Sequence, residues 1–388
     1  MINALRYKRT LRLLILAIIG LGFWEISSAQ MPNLNASNRL DVLSWNVEWL
    51  GSSSNGPSSE SIQMTNVTRL INEIQVDILG LCEISSASAW SDILEKCPDY
   101  NGSISTWDQI QKTAVLFRKS EFKLAYSKHI LSEYSYDFAS GRLPLEVGLI
   151  PLNNKFNFDT LRVWILHLKA NTGSSTQKIE AYNRRYNASM VLKSYIQKLG
   201  NNKSGIILGD WNDDFDVSIL SGYGTPFANW TKDTQYFIAT LPLSLSKQKS
   251  TVSYSEMIDH IVTLPVLKSA VVKDSVFVFN PTPWINNYGN STSDHYPVYA
   301  RFNVTKRSND VNDLNRIDPL LFCDEDRKII TRGISISNIQ RIEQYDFAGR
   351  YLKTTECQFD SIEMIQPAEI IRVYTIDGSV LTFKLIQP

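Results

Sequence analysis

A chain of 388 residues has room for two or three domains, and its 43% hydrophobic and 20% charged residues are ordinary for a protein with a packed core. Lysine plus arginine and aspartate plus glutamate both number 39, so no global basic field gathers polyanions. That excludes a tight, salt-driven nucleic-acid scaffold. It leaves room for a nucleic-acid substrate, because a local stripe or a bound metal ion can supply positive charge.

At the N-terminus Arg6, Lys8, Arg9 and Arg12 precede an apolar run over 13–23, and Ser27-Ser28-Ala29 offers small residues for cleavage before Gln30. Basic, apolar and small in that order reads as a signal peptide over 1–29, and the apolar core is too short for a comfortable membrane span. The mature protein is therefore expected to be secreted or held at the outer cell surface, without stable membrane insertion. Four cysteines fit that setting and allow three pairings. Cys82 and Cys97 are placed to meet, Cys323 and Cys357 fall near the C-terminus, and no spacing suggests a zinc site.

From Asp41 to Asn303 short apolar runs alternate with helical patterns over 64–74 and 177–199. The runs over 114–117 and 145–150 read as strands. Others end in chemistry-bearing residues. The run 41–48 carries Asn46, the run 76–83 ends in Glu83, and the run 161–171 carries His167. Gly205-Ile206-Ile207-Leu208 delivers Gly209-Asp210-Trp211-Asn212 to a sheet edge, where alternation would point Asp210 and Asn212 the same way. Met257-Ile258-Asp259-His260 and Ser293-Asp294-His295 close the series. Asp259 and His260 alternate, so His260 should face away as a packed or surface histidine; His129 has no such context.

This ordered set, from about residue 39 to 303, resembles the endonuclease/exonuclease/phosphatase superfamily, the deoxyribonuclease I-like fold. The resemblance implies an α/β architecture, two facing β-sheets with helices on both outer sides. It implies that Glu83 binds Mg²⁺ or Mn²⁺, with Asn46 and Asp294 as accessory ligands; hard cations take oxygen donors, and few carboxylates suffice. Asp210 would orient or deprotonate the attacking water, Asn212 would bind a non-bridging phosphate oxygen, and His295, its tautomer fixed by Asp259, would stabilise the anionic phosphate. His167 is a second candidate acid for the leaving oxygen. Arg142 resembles an arginine that contacts substrate phosphate, a role its planar fork suits. Among the tryptophans, Trp45 and Trp211 are expected to pack, and Trp284, in a proline-rich loop, is the candidate substrate contact.

Residues 304–330 are polar and charged and read as a linker, in which Pro319-Leu320-Leu321-Phe322 has a place to dock. Over 331–388 short alternating runs, 334–339, 342–347, 370–375 and 380–386, are separated by turns at Ala348-Gly349-Arg350 and Asp377-Gly378, predicting a small all-β C-terminal domain. The segments 342–350 and 372–379 resemble the C-terminal sorting domain of type IX secretion cargo, which implies a secretion machinery as partner.

The whole points to a secreted, metal-dependent phosphodiesterase acting on nucleic acid, DNA before RNA. The alternatives are a sphingomyelinase-type phospholipase, a sugar or inositol phosphate phosphatase, and a catalytically dead binding module. No run between Asn212 and Asp259 resembles a membrane-inserting apolar hairpin. Binding alone would not need Asn46, Glu83, Asp210, Asn212, Asp294 and His295 together.

Overall fold

The computed structural model describes residues 30–36, 39–152 and 156–304, and in the C-terminal part 320–323, 329–332, 339–346, 350–356, 370–375 and 380–384. The expected signal peptide and all but Ile339 of the run 334–339 lie outside the described residues. The chain divides into two compact units between Lys306 and Arg307.

Two six-stranded sheets form the first unit. One contains β1 (Leu40–Leu50), β2 (Ile78–Ile84), β3 (Tyr100–Ile104), β4 (Lys112–Arg118), β11 (Val271–Val278) and β12 (Val298–Phe302), in the order β11-β12-β1-β2-β4-β3. The other contains β5 (Phe122–His129), β6 (Leu145–Pro151), β7 (Leu161–His167), β8 (Ser204–Asp210), β9 (Phe237–Ile238) and β10 (Asp259–Thr263), in the order β5-β6-β7-β8-β10-β9. Each sheet has a parallel pair at its centre, β1–β2 and β7–β8, buried on both faces as such pairs require. That explains their near-continuous apolar sequences.

Alternation sorts the side chains into three cores. Val42, Ile78, Cys82, Val163, Ile165, Ile206, Leu208 and Ile261 fill the space between the sheets. Leu43, Trp45, Val47, Leu79 and Leu81 face outward beneath α1 (Glu60–Ile74) and α2 (Ala87–Lys96). Trp164, Ile207, Trp211 and Trp230 pack beneath α3 (Ser175–Lys198). Ser59, Ser86 and Ser174 cap these helices, Ser174 in a reciprocal box with Gln177.

Two glycines allow the sheets and strands to come this close. A Cβ on Gly80 would lie 2.8 Å from Ile165 Cδ1 on the facing sheet. One on Gly209, whose φ is +142°, would lie 2.1 Å from the Leu166 carbonyl oxygen of β7. Only glycine fits there, immediately before Asp210.

Of the pairings left open, Cys82 with Cys97 does not form; both thiols are free and buried. They occupy different layers: Cys82 lies in the inter-sheet core and donates to Leu166 O at 3.1 Å, whereas Cys97 lies in the core under the helices. The side chains of Cys323 and Cys357 lie outside the described residues.

In the second unit, β13 (Leu320–Cys323), inside the segment read as a linker, and β14 (Ile329–Arg332), which crosses its end at residue 330, form an antiparallel pair. β15 (Ile339–Tyr345), β16 (Tyr351–Glu356), β17 (Ile370–Thr375) and β18 (Val380–Lys384) form an antiparallel sheet in the order β16-β15-β17-β18. Ile342 and Val373, paired across β15 and β17, are both fully buried.

Candidate active site

The strand ends that carry the sequence motifs meet at one end of the first unit. In the second sheet His167, Asp210 and Asp259 are direct cross-strand partners, forming one row across β7, β8 and β10. All three take the parity of the inter-sheet side chains, as Val163, Leu208 and Ile261 do. His295 joins them from the facing sheet's side, its Nδ1 2.7 Å from Asp259 Oδ2 and its Nε2 3.9 Å from Asp210 Oδ2. Ser250 fixes the carboxylate of that pair: its hydroxyl donates to Asp259 Oδ2 at 2.7 Å and accepts the Asp259 N–H.

From the first sheet Asn46 and Glu83 close the centre. Asn46 Nδ2 donates to Glu83 Oε1 at 3.0 Å and to Asp210 Oδ2 at 3.1 Å. By parity Glu83 belongs with Leu79 and Leu81 on the outer face. A left-handed φ of 69°, where β2 loses register with β1 and β4, turns it inward instead. Asn212 departs from simple alternation as well. β8 ends at Asp210, and Asn212 has a φ of 54° with its N–H bonded to Asp210 Oδ1 at 2.9 Å. Glu48 and Trp49 also have positive φ. Four non-glycine residues in this region around one site mark a locally strained backbone, held by its surroundings.

Glu48 is the residue sequence reading missed. It follows Asn46 by two positions, and its Oε2 accepts the Asp294 N–H at 2.8 Å, so it faces Asp294. The available signal was an acid two positions after Asn46 among the apolar residues Trp45, Val47, Trp49 and Leu50, which buried surroundings tolerate only with a partner. Burial and the neighbouring Asp294 push its carboxyl up to about 7. Burial, with Asp259 and Glu83 nearby, pushes Asp210 up to about 7 too, against the opposing pull of His295.

The two site histidines differ in charge state. Burial disfavours the His295 cation, but the Asp259 and Asp210 carboxylates outweigh it and hold the imidazolium well above the ordinary range. Burial and then the Arg142 guanidinium push His167 well below it, so this ring is neutral at pH 7. His167 Nε2 lies 3.4 Å from Glu83 Oε1 and 3.5 Å from Asp210 Oδ2.

Arg142, expected on the substrate, instead turns its guanidinium into the chain. Its NH1 lies 3.0 Å from His167 Nδ1, 2.6 Å from His167 Nε2 and 2.8 Å from Gln111 Oε1. Its NH2 donates to Leu168 O at 2.8 Å. Trp284 does not join the site. Its ring stacks on Phe279 at 5.6 Å and packs against the core beneath α1. Trp45 and Trp211 are fully buried, as expected of packing residues. His260 is buried beside Phe215 and bonded to Thr240, facing away from the centre.

Beside Asn212 opens a cleft of about 290 Å³, lined in part by Asn171, Lys178, Tyr254, Glu256 and Ile258. The donor set at the centre suits a divalent cation. Ligand atoms of Glu83, His167 and Asp210 lie within 4.8 Å of one another, with no thiolate among them. The raised Asp210 and Glu48 carboxyls are those of clustered acids that a cation would relieve. Asn46 meets the acids through its NH₂, while its Oδ1 accepts the Glu48 N–H at 3.0 Å.

The two sheets thus deliver an Asp–His pair and a carboxylate cluster to one end of the unit. Residues 43–295 match the profile of the Endonuclease/Exonuclease/phosphatase family. The chain belongs to that family, whose members hydrolyse phosphoester bonds and generally depend on divalent metals. Among solved structures it is similar to a humanised D. rerio TDP2, with 18% identity and a TM-score of 0.51, over 69% of this chain and 100% of that one. It is likewise similar to an endonuclease/exonuclease/phosphatase from Bacteroides vulgatus, with 14% identity and a TM-score of 0.50, over 69% of this chain and 99% of that one. No curated protein matches the chain.

Proposed function

We propose that the protein is an exported, divalent-metal-dependent phosphodiesterase that hydrolyses nucleic acid, DNA in the first instance, by in-line attack of water. The charge balance at the reacting centre carries this reading. Glu48, Glu83, Asp210, Asp259 and Asp294 stand there against the cations Arg142 and His295. Even with one Mg²⁺ added, that centre holds no positive surplus. It therefore suits a diester, which brings one negative charge, over a monoester, which brings about two near pH 7. Exposed apolar residues between Asn212 and Asp259 are single ones such as Val217, Leu245 and Tyr254, which suits a water-borne polymer over a lipid surface.

Bound Mg²⁺, held by Glu83 with Asp210, His167 and the Glu48–Asp294 side, would act as Lewis acid on the phosphate. Asp210, buried at the centre with its Oδ2 3.9 Å from the His295 ring, is the carboxylate placed to accept a proton from the attacking water. His295, charged and fixed by Asp259, stabilises the negative charge that builds on phosphate. Asn212 uses one amide hydrogen on Leu168 O at 3.1 Å, which leaves the other for a phosphate oxygen. The neutral His167 serves as a ligand or hydrogen-bond partner, and proton delivery to the leaving oxygen falls to His295.

The test compares bis(p-nitrophenyl) phosphate with p-nitrophenyl phosphate on the purified protein in Mg²⁺. Faster, EDTA-sensitive turnover of the diester is expected. Preference for the monoester would overturn the diesterase reading in favour of a sugar or inositol phosphate phosphatase.

A further inference from the structure

Behind the site, α3 carries two consecutive arginines whose partners lie on catalytic loops. Arg185 and Asp213 are both fully buried. Arg185 Nε and NH2 donate to Asp213 Oδ2 at 3.0 and 2.8 Å, and its NH1 donates to Lys169 O at 2.8 Å. One planar guanidinium thus joins two segments: 168–171, which follows His167, and 211–219, which contains Asn212.

Asp213 distributes that anchorage along its own loop. Oδ1 accepts the N–H groups of Asp214 at 3.0 Å and Ile219 at 2.8 Å, and Oδ2 also accepts the Ser218 hydroxyl at 2.9 Å. The same two segments meet at the site itself, where Asn212 Nδ2 donates to Leu168 O. Ile219, Asn171 and Asn212 all line the adjoining cleft. The neighbouring Arg184 does the corresponding job for another loop, donating to Ser140 Oγ at 2.9 Å just before Arg142.

A fully buried ion pair is a poor stabilising device, because desolvation cancels much of its attraction and apolar replacements of the pair are often more stable. What it supplies is fixed geometry: the fork meets an acid and a carbonyl on two different loops at once, which a lysine ammonium cannot reproduce. We propose that Arg185 and Asp213 are positioning residues that hold Asn212 and the segment after His167 in the arrangement needed for hydrolysis. The proposal rests on the reading of Asp210 and Asn212 as the catalytic centre. Since misplacement by about 1 Å costs roughly 100-fold in rate, a loosened clamp should act on kcat more than on KM.

The test uses full-length Arg185→Lys and Arg185→Met with bis(p-nitrophenyl) phosphate in Mg²⁺, each with a thermal melt. Arg185→Lys should fold and lose roughly 10- to 100-fold in kcat, with KM within about threefold of wild type. Arg185→Met should lose more, so that the lysine counts as partial rescue. A folded Arg185→Lys with kcat within about twofold of wild type would overturn the clamp while leaving the phosphodiesterase reading intact. Failure of Arg185→Lys to fold would overturn it too, since the pair would then be holding the domain together. An inactive wild type would overturn the phosphodiesterase reading and the clamp with it.

Discussion

His167 and His295 both approach Asp210, 3.5 and 3.9 Å from its Oδ2, yet their surroundings leave one neutral and the other charged. His295 faces Asp259, a carboxylate that Ser250 holds in place. His167 faces Arg142, which lies against both ring nitrogens. Burial is common to both rings, so the neighbour decides. Residue type alone made either histidine a candidate acid; the partner across each ring assigns the proton to His295.

The largest effect should come from the group the two rings share. Asp210→Asn, or His295→Ala on the charged side, should lower kcat by roughly 1,000-fold or more in a protein with unchanged circular dichroism. Next, Asp259→Asn should lose roughly 100-fold at pH 8 and much less at pH 6. Without the carboxylate the His295 pKa falls, and acid restores the imidazolium; an equal loss at both pH values would break the comparison. Arg142→Met should cost about tenfold and raise the His167 pKa, readable from its NMR titration. A His167 pKa that stays low would show that burial alone sets it.

The smallest effect is thermodynamic. Asp210 and Glu48 titrate near 7 when folded and near 4 when unfolded, so between those values the folded state binds more protons. The contribution of these two carboxyls to the stability of the metal-free protein should therefore fall as pH rises from about 4 to about 7, against the opposite contribution of the depressed His167 and His260. Mg²⁺ relieves the same charges, so calorimetry should show a larger rise in Tm on adding it at pH 7.5 than at pH 5.

How legible was this in the sequence? The central strands and the residues they deliver were, because strands buried on both faces are near-continuous apolar runs ending in a polar group. β3, β5, β9, β11 and β16 went unread and lie at sheet edges; the β13–β14 pair was taken mostly as linker, and the interior β12 was read only through the motif that precedes it. Edge strands such as Phe122–His129 alternate poorly and expose lysine and serine, so their pairing comes from a neighbour and not from their own pattern. Glu48 and the inward turn of Glu83 stayed hidden for a different reason. Both depend on positive φ values that the surrounding fold imposes on non-glycine residues. Arg142 carried the right residue type, but only the fold reveals that its fork closes on His167 and Leu168. The buried Arg185–Asp213 pair spans 28 residues, a distance at which no local pattern signals contact.

The most direct test of the account is nicking of supercoiled plasmid by the purified protein in Mg²⁺, run beside EDTA and Asp210→Asn. Conversion to open circles that both controls abolish is expected. Intact plasmid with folded, metal-loaded wild type, or nicking that survives in Asp210→Asn, would contradict it.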